Sequence, residues 1–355
     1  MFKDRLFGVI IAGGRGTRFW PLSRKARPKH LLNFLGDTSL LRQTADRVMP
    51  LASAARLFVV TAQSHADEVR EVLSDIPPQN ILVEPAGKNT APAIALAAAH
   101  ILDKDPNGIM AVLPSDHIIE PRDKFLADLE EGARLADARR ALAIFGIRPT
   151  RPETGYGYIE VGQKLEGRAF GVASFKEKPN LKKAKDYLGT GRYLWNSGMF
   201  VFRADVYVEK MRRHLPDLFA AWERYANGKK GAEDLNEYYA AAEAVSIDHG
   251  IMEKLAGEAA VIAASFNWSD IGSWGATDEL WRADEKGNRA RGGDIVPISA
   301  EGNTVVSKKL VALLGVENLI VVETDDAILI TRKEKAQEIK NLVEEMERRG
   351  LNRYL

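Results

Sequence analysis

The sequence predicts an α/β fold with a mostly parallel, mixed sheet over most of its length, followed by a small β-rich domain that ends in a helix. Three observations predict it. Up to about residue 150, short and nearly continuous apolar runs alternate with stretches of three- and four-residue apolar periodicity. Strands that alternate with helices imply crossover connections and a parallel sheet, and uninterrupted apolar strands imply a sheet covered on both faces. After about residue 286 the texture changes to short β-prone pieces punctuated by Gly, Asn and Asp.

In chain order, LFGVIIA (6–12), RLFVVTA (56–62), NILVEP (80–85), GIMAVLP (108–114) and ALAIFGI (141–147) are expected as buried strands. SLLRQTADRVM, SHADEVREVL, TAPAIALAAAHIL and DKFLADLEEGARLA, which lie between them, are expected as helices. From 151 to about 285 the alternation loosens. TGYGYIEV and FGVASFKEKP read as strands, YLWNSGMFVFR as a buried strand with a turn inside it, and DVYVEKMRRHL and EDLNEYYAAAEAV as helices. No linker precedes this stretch, so residues 1–285 are expected to form one domain and residues 286–355 a second. The closing KEKAQEIKNLVEEMERR places Ala336, Ile339, Leu342, Val343 and Met346 on one helical face. No low-complexity segment and no strong internal repeat stands out.

The chain has 355 residues, 45% of them apolar and 28% charged, which suits a large globular core and about two domains. A net charge of +1 argues against a general nucleic-acid or membrane-surface binder, so any anion site must be local. The absence of cysteine removes disulfides, thiolate nucleophiles and Cys-based zinc sites. The N-terminal apolar run ends in Gly-Gly-Arg, which reads as a buried strand and not as a signal peptide. No window reaches the roughly 20 apolar residues of a membrane span. A cytoplasmic location is expected.

The local anion site is at the start of the chain. Ile10–Leu32 reads IIAGGRGTRFWPLSRKARPKHLL, with six Arg or Lys between Arg15 and Lys29 and no carboxylate nearer than Asp4 or Asp37. A strand, a glycine turn and then cations let backbone N–H groups and charged side chains converge on phosphate. The plainer reading is a tight turn carrying solvated cations; the uninterrupted cluster favours phosphate. It is neither a dinucleotide fingerprint, which needs glycine at Phe19, nor a P-loop, since Thr17-Arg18 follows Gly16. Pro21 and Pro28 keep the segment from entering a helix, so a long loop over a ligand is expected.

GGRGTRFWPLSRKARPK resembles the signature of sugar-phosphate nucleotidylyltransferases. With EPAGKNTAPAI, LPSDHII, FKEKP, NSGMFVF and FNWSDIGSW, in order over residues 8–275, the set resembles the mannose-1-phosphate guanylyltransferase branch of that family. The resemblance implies a Rossmann-like nucleotidyltransferase domain, a β-helix-like C-terminal part, Mg²⁺ as cofactor, and GTP and α-D-mannose 1-phosphate as substrates. With the charge balance and the apolar windows above, neither nucleic acid nor membrane is expected as a partner. A homodimer through the β-rich part is a candidate assembly.

On this resemblance, Ala12, Gly13, Gly14, Gly16 and Thr17 wrap the triphosphate, with Arg18 on the departing phosphates and Lys29 near the α-phosphate. Arg15 and Arg24 are weaker candidates, and Lys25 and Arg27 read as solvated. Glu84, Pro85, Asn89 and Thr90 fall beside the base; Asn89 or Thr90 also suits a helix N-cap with Pro92 in the first turn. Asp116, at a strand's carboxyl end, and Asp270 are the expected metal ligands, their proximity resting on the resemblance. The plainer reading of Asp116 is a cap for the helix after Pro121. Gly155 and Gly157 allow close backbone approach to the sugar phosphate. Glu177 and Asn196 can meet its hydroxyls and Lys178 its phosphate, although FKEKP also suits an ordinary strand end. The six histidines show no metal-ligand spacing, and an ionised sugar phosphate needs no general base.

Two positions depart from the family pattern. His30 stands where Gln is common after Pro-Lys, and Lys176 stands where Val is common before Glu-Lys-Pro. His30 bears on a polar contact near the phosphates, and strand alternation points Lys176 to solvent. Some relatives carry a C-terminal phosphomannose isomerase domain; with Leu355 as the last residue, isomerase activity is not expected. Alternatives within and outside the class are another sugar 1-phosphate (such as glucose 1-phosphate) or another nucleotide, and a non-catalytic regulatory relative that binds sugar nucleotide.

Overall fold

The computed structural model describes residues 2–14, 16–34 and 36–355. The chain folds into two compact units, each discontinuous in sequence. Residues 1–13, 41–115 and 119–268 form the first; residues 14–40, 116–118 and 269–355 form the second. Among the described residues no helix is long and apolar enough to cross a membrane.

The first unit is built on a nine-stranded sheet. Its strands are β1 (Leu6–Ala12), β2 (Leu57–Ala62), β3 (Ile81–Glu84) and β4 (Ile109–Pro114), then, beyond the short β5 (Ile118–Glu120), β6 (Leu142–Ile147), β7 (Tyr158–Lys164), β8 (Ala169–Lys176), β9 (Tyr193–Arg203) and β10 (Ala259–Ala263). The spatial order is β3-β2-β1-β4-β9-β6-β10-β8-β7. Strands β1 to β4 run parallel, so Ala12, Ala62, Glu84 and Pro114 finish at one edge of the sheet. Strand β9 is antiparallel to both β4 and β6, and the sheet is mixed from there on. Nearly every residue of β1, β2, β4 and β6 is buried, as a doubly covered sheet requires.

The covering helices are α1 (Leu40–Val48), α2 (Ala66–Val72), α3 (Thr90–Lys104), α4 (Arg122–Arg139), α5 (Leu181–Thr190), α6 (Ala204–His214), α7 (Pro216–Asn227), α8 (Ala232–Ala241) and the single turn α9 (Ile247–Gly250). Helix α3 shows why the sequence folds this way. Asn89 caps it by accepting from the Thr90 N–H at 2.9 Å, Pro92 occupies the first turn, and Ala91 to Ala99 are buried without a break. Its small side chains cost no rotamer entropy and let the helix sit close to its neighbours. The turn expected inside YLWNSGMFVFR is absent: β9 is one continuous eleven-residue strand, with a register shift opposite Ile144–Gly146 and Gly198 at φ +70°. A bulge absorbs the bend without breaking the ladder.

The second unit has two parts. Phe19, Phe34 and Trp274 form an aromatic knot with ring centroids 5.0 and 5.2 Å apart around Phe19. Each such pair adds about 0.5–1.5 kcal/mol beyond the area it buries. The chain then passes through β11 (Asn267–Ser269) and the turn α10 (Thr277–Leu280) into β12 (Arg289–Gly292), β13 (Ile295–Ile298), β14 (Thr304–Ser307), β15 (Val311–Leu314), β16 (Leu319–Glu323) and β17 (Ile328–Arg332). Strands β12, β14 and β16 stack in parallel in one sheet and β13 and β15 in another, which is the coil of a parallel β-helix. Strand β17 closes the first sheet antiparallel to β16.

These coils do repeat, although no internal repeat stood out in the sequence. Asn288 and Asn303 occupy the same corner of successive coils. Asn288 Oδ1 accepts from both the backbone and the amide of Asn303, and Asn303 Oδ1 accepts from the Leu319 N–H. The closing segment also differs from expectation. Lys333–Glu338 is a 3₁₀ turn and only α11 (Ile339–Arg348) is α-helical. Ala336, Ile339 and Met346 are buried and Val343 packs against them, but Leu342 is 40% exposed. Within α11, Leu342 falls at the edge of the stripe centred on Ile339, Val343 and Met346.

Candidate active site

In the second unit, a cavity of about 250 Å³ is lined by Gly16, Thr17, Arg18, Lys29, Asp116, His117, Asp270 and Gly272, among others. The loop that forms one wall is fixed by its apolar members. Phe19 is buried in the aromatic knot, and the 3₁₀ turn Thr17–Phe19 places Arg18 on the opposite, exposed side. The Arg18 guanidinium makes no hydrogen bond or ion pair among the described residues. Gly16 has φ +64°, and a Cβ there would stand 2.4 Å from Lys29 Cβ, so only glycine allows this approach. The Ser23 hydroxyl donates to the Gly16 carbonyl at 2.6 Å and pins the turn.

Lys29 is buried at 5% exposure. Its ammonium donates to Asp116 Oδ2 at 2.7 Å and to the Asp270 carbonyl, so the structure brings the two acids, 154 positions apart, to one cation. Burial alone would raise the Asp116 carboxyl; the Lys29 ammonium, with His117 and His30, overrides it and holds the group down to about 2. Asp116 is therefore not a cap: α4 starts at Arg122 with Pro121 at its N-cap and no side-chain cap bond. Asp270 is followed by Ile271, a buried β-branched residue at φ +43°, and then by Gly272, where a Cβ would lie 3.2 Å from Asp270 Oδ2. Strained backbone of this kind survives only where surrounding packing over-determines it.

The other cations of the loop have different partners. Arg24 pairs with Asp326 at 2.8 Å and its guanidinium lies 5.6 Å from the Trp20 ring centre. Lys25, expected to be solvated, pairs with Glu347 at 2.7 Å. Arg15 lies outside the described residues. His30 is buried, near enough to add positive potential at Asp116.

The first unit holds two further groups. At the carboxyl edge of its parallel strands, Ala12 ends β1 with Gly13 next to it, and Glu84 ends β3 with exposed Pro85 after it. Glu84 Oε1 accepts from the Tyr239 hydroxyl at 2.9 Å, and a Cβ on Gly13 would lie 3.8 Å from Glu84 Oε2. Burial raises the Glu84 carboxyl, and the Tyr239 bond only partly offsets this. Asn89, at φ +71°, turns the chain into α3, and Thr90 Oγ1 accepts from the Ile247 N–H at 3.0 Å.

The second group comprises Gly157, Glu177, Lys178 and Asn196. The Asn196 N–H donates to the Gly157 carbonyl at 2.8 Å, and a Cβ on Gly157 would collide with Glu177 Oε2 at 2.4 Å. Lys178, at φ +45°, pairs with Glu177 Oε1, while Glu177 Oε2 is buried without a partner. Lys176 is exposed, as strand alternation requires. Gly155 is exposed and its N–H donates to Glu153.

Sequence reasoning missed four contributors. Tyr239 holds Glu84; Asp248 accepts from Asn196 Nδ2 at 2.7 Å; Glu253 accepts from the Glu177 N–H at 3.1 Å; His117 lines the cavity beside Asp116. For Asp248 and Glu253 the available signal was the acids of SIDHGIMEK, and His117 stands inside LPSDHII next to Asp116.

A nucleotidyl transferase family model matches residues 7–287, and a MannoseP isomerase/GMP-like beta-helix domain model matches residues 293–346. The chain is 38% identical to an Escherichia coli K12 mannose-1-phosphate guanylyltransferase, across 100% of this chain and 76% of that protein. It is 39% identical to the xanthan biosynthesis protein XanB of Xanthomonas campestris pv. campestris, across 96% and 73%. A solved structure from Thermus thermophilus, described as a mannose-1-phosphate geranyltransferase, superposes with a TM-score of 0.87 at 34% identity, covering 97% of this chain and 99% of that one.

Proposed function

Because the chain belongs to the nucleotidyl transferase family, we propose that it transfers GMP from GTP to α-D-mannose 1-phosphate, giving GDP-mannose and pyrophosphate. The observation that carries this reading is the cavity in which Arg18, Lys29, Asp116 and Asp270 meet. Cations and carboxylates together suit a triphosphate bound with a metal ion. That charged lining does not suit the apolar chain of a geranyl group, which favours guanylyl transfer.

Two carboxylates lining one cavity suit Mg²⁺, which takes one or two protein oxygens and completes its shell with phosphates and water. When bound, the ion neutralises and draws together phosphate oxygens. Asp116 and Asp270 would hold it. The N–H groups of Gly13, Gly14, Gly16 and Thr17 hold the triphosphate together with Arg18, which sits on the departing pyrophosphate, and Lys29 offsets charge at the α-phosphate. Glu84, Pro85, Asn89 and Thr90 hold the guanine. Glu177, Asn196 and Gly157 hold the sugar and Lys178 its phosphate. The phosphate oxygen of the sugar, already ionised, attacks the α-phosphorus in line, and the chain contributes positioning and charge.

The test is pyrophosphate release over a panel of nucleotides and sugar 1-phosphates with Mg²⁺. GTP with mannose 1-phosphate is expected to lead. No release with any pair would contradict the enzyme reading, and a preference for dTTP with glucose 1-phosphate would contradict the specificity. Asp270→Asn is expected to lower turnover at least about a hundredfold with little change in melting temperature.

A further inference from the structure

The run Val245–Glu253 bonds to Thr90 and Ala91 on one side and to Asn196 and Glu177 on the other. At its start the Val245 carbonyl accepts from the Ala91 N–H at 3.1 Å, and the Ile247 N–H donates to Thr90 Oγ1. Ser246 caps the turn α9 by accepting from the His249 N–H at 3.2 Å. Its two acids then reach the other way. Asp248 Oδ1 accepts from Asn196 Nδ2 at 2.7 Å, and Glu253 Oε1 accepts from the Glu177 N–H at 3.1 Å.

These bonds decide how Asn196 and Glu177 present themselves. Asn196 Oδ1 already accepts from the Gly198 N–H at 2.9 Å, so the carboxylate of Asp248 fixes the amide with its NH₂ facing Asp248. One N–H and one lone pair of that amide are left for a ligand, in a set orientation. Glu177, whose side chain is 7% exposed, has Oε1 on Lys178 and Oε2 buried with no partner. A buried acceptor left open in this way calls for a donor such as a hydroxyl.

We propose that Val245–Glu253 is a strap, tied by its backbone to the base-side loop at Thr90 and Ala91, whose acids Asp248 and Glu253 are positioning residues for the sugar contacts Asn196 and Glu177. The proposal rests on the reading that Asn196 and Glu177 meet the sugar hydroxyls. Without Asp248 only the Gly198 N–H orients the Asn196 amide, which then offers the wrong group to the sugar in a fraction of molecules. Without Glu253 the Glu177 backbone loses its tether.

The experiment is steady-state kinetics on the full chain, with KM for the sugar 1-phosphate and for GTP measured separately in Asp248→Ala, Asp248→Asn and Glu253→Ala. Asp248→Ala is expected to raise the sugar KM at least tenfold and to change the GTP KM less than twofold. Asp248→Asn, which keeps an oxygen acceptor for Asn196, is expected to recover most of the loss, a rescue that a general loss of packing would not show. Glu253→Ala carries the same split should Asp248→Ala fail to fold. A sugar KM within twofold of wild type in both alanine variants, or equal rises in both KM values without rescue by asparagine, overturns the proposal. A wild-type protein that prefers a different sugar 1-phosphate overturns the mannose assignment, while the same split measured on that sugar still supports the strap.

Discussion

Lys29 combines burial, an ion pair with Asp116 at 2.7 Å and a close approach to Gly16 that only glycine permits. Removing one member of such a pair leaves the other charge without compensation. Lys29→Met is therefore expected to raise the Asp116 carboxyl from about 2 toward its ordinary range and to cut turnover at least about a hundredfold. Titration of Asp116 by NMR and single-turnover rates read the two effects. Tyr239 makes a smaller contribution through Glu84. Tyr239→Phe forfeits one buried bond to a carboxylate, about 1.5–3 kcal/mol, and the GTP KM is expected to rise at least about tenfold. Asp248 gives a pH signature. Burial, with Glu177 nearby, pushes its carboxyl up to about 6, against the opposing pull of Asn196 and Lys178. The unfolded group titrates near 4, so between roughly pH 4 and 6 the folded state holds more protons and stability falls as pH rises. In urea unfolding at pH 4 and pH 6.5, Asp248→Asn is expected to lose that part of the fall.

At the scale of elements, the apolar strands β1, β2, β4 and β6 lie within a residue of where their sequences place them. Period and burial are local signals, so they survive in the sequence. The strand β9 was legible but its bulge was not, because a glycine inside an apolar run serves a turn and a bulge equally well. The β-helix was the least legible. Its coils repeat through backbone stacking and two matched corners, Gly287-Asn288 and Gly302-Asn303, and not through side-chain similarity along the strands. Asn303→Ala tests that account. It would leave the Leu319 N–H unmet inside the coil, at a cost of about 1–3 kcal/mol, and the Val316 carbonyl with the Glu301 N–H as its remaining donor. A melting temperature lowered by several degrees supports the ladder; an unchanged one contradicts it.

For the molecule as a whole, the candidate site residues were legible as types and the partners that orient them were not. A glycine turn among cations and an Asp at a strand end announce phosphate and metal chemistry within a few residues. That residues 14–40 pack with 269–355, as when the Trp274 indole donates to the Trp20 carbonyl, leaves no trace in composition or periodicity. The same holds for Tyr239 and Glu84, 155 positions apart. The central claim is direct guanylyl transfer from GTP to mannose 1-phosphate by one in-line displacement. Stereochemistry at the α-phosphorus tests this most directly, with one diastereomer of α-thio-GTP as donor. Inversion in the thio-GDP-mannose product is the predicted result, since a single displacement inverts phosphorus once. Retention would require two displacements through a guanylylated side chain and would contradict the account.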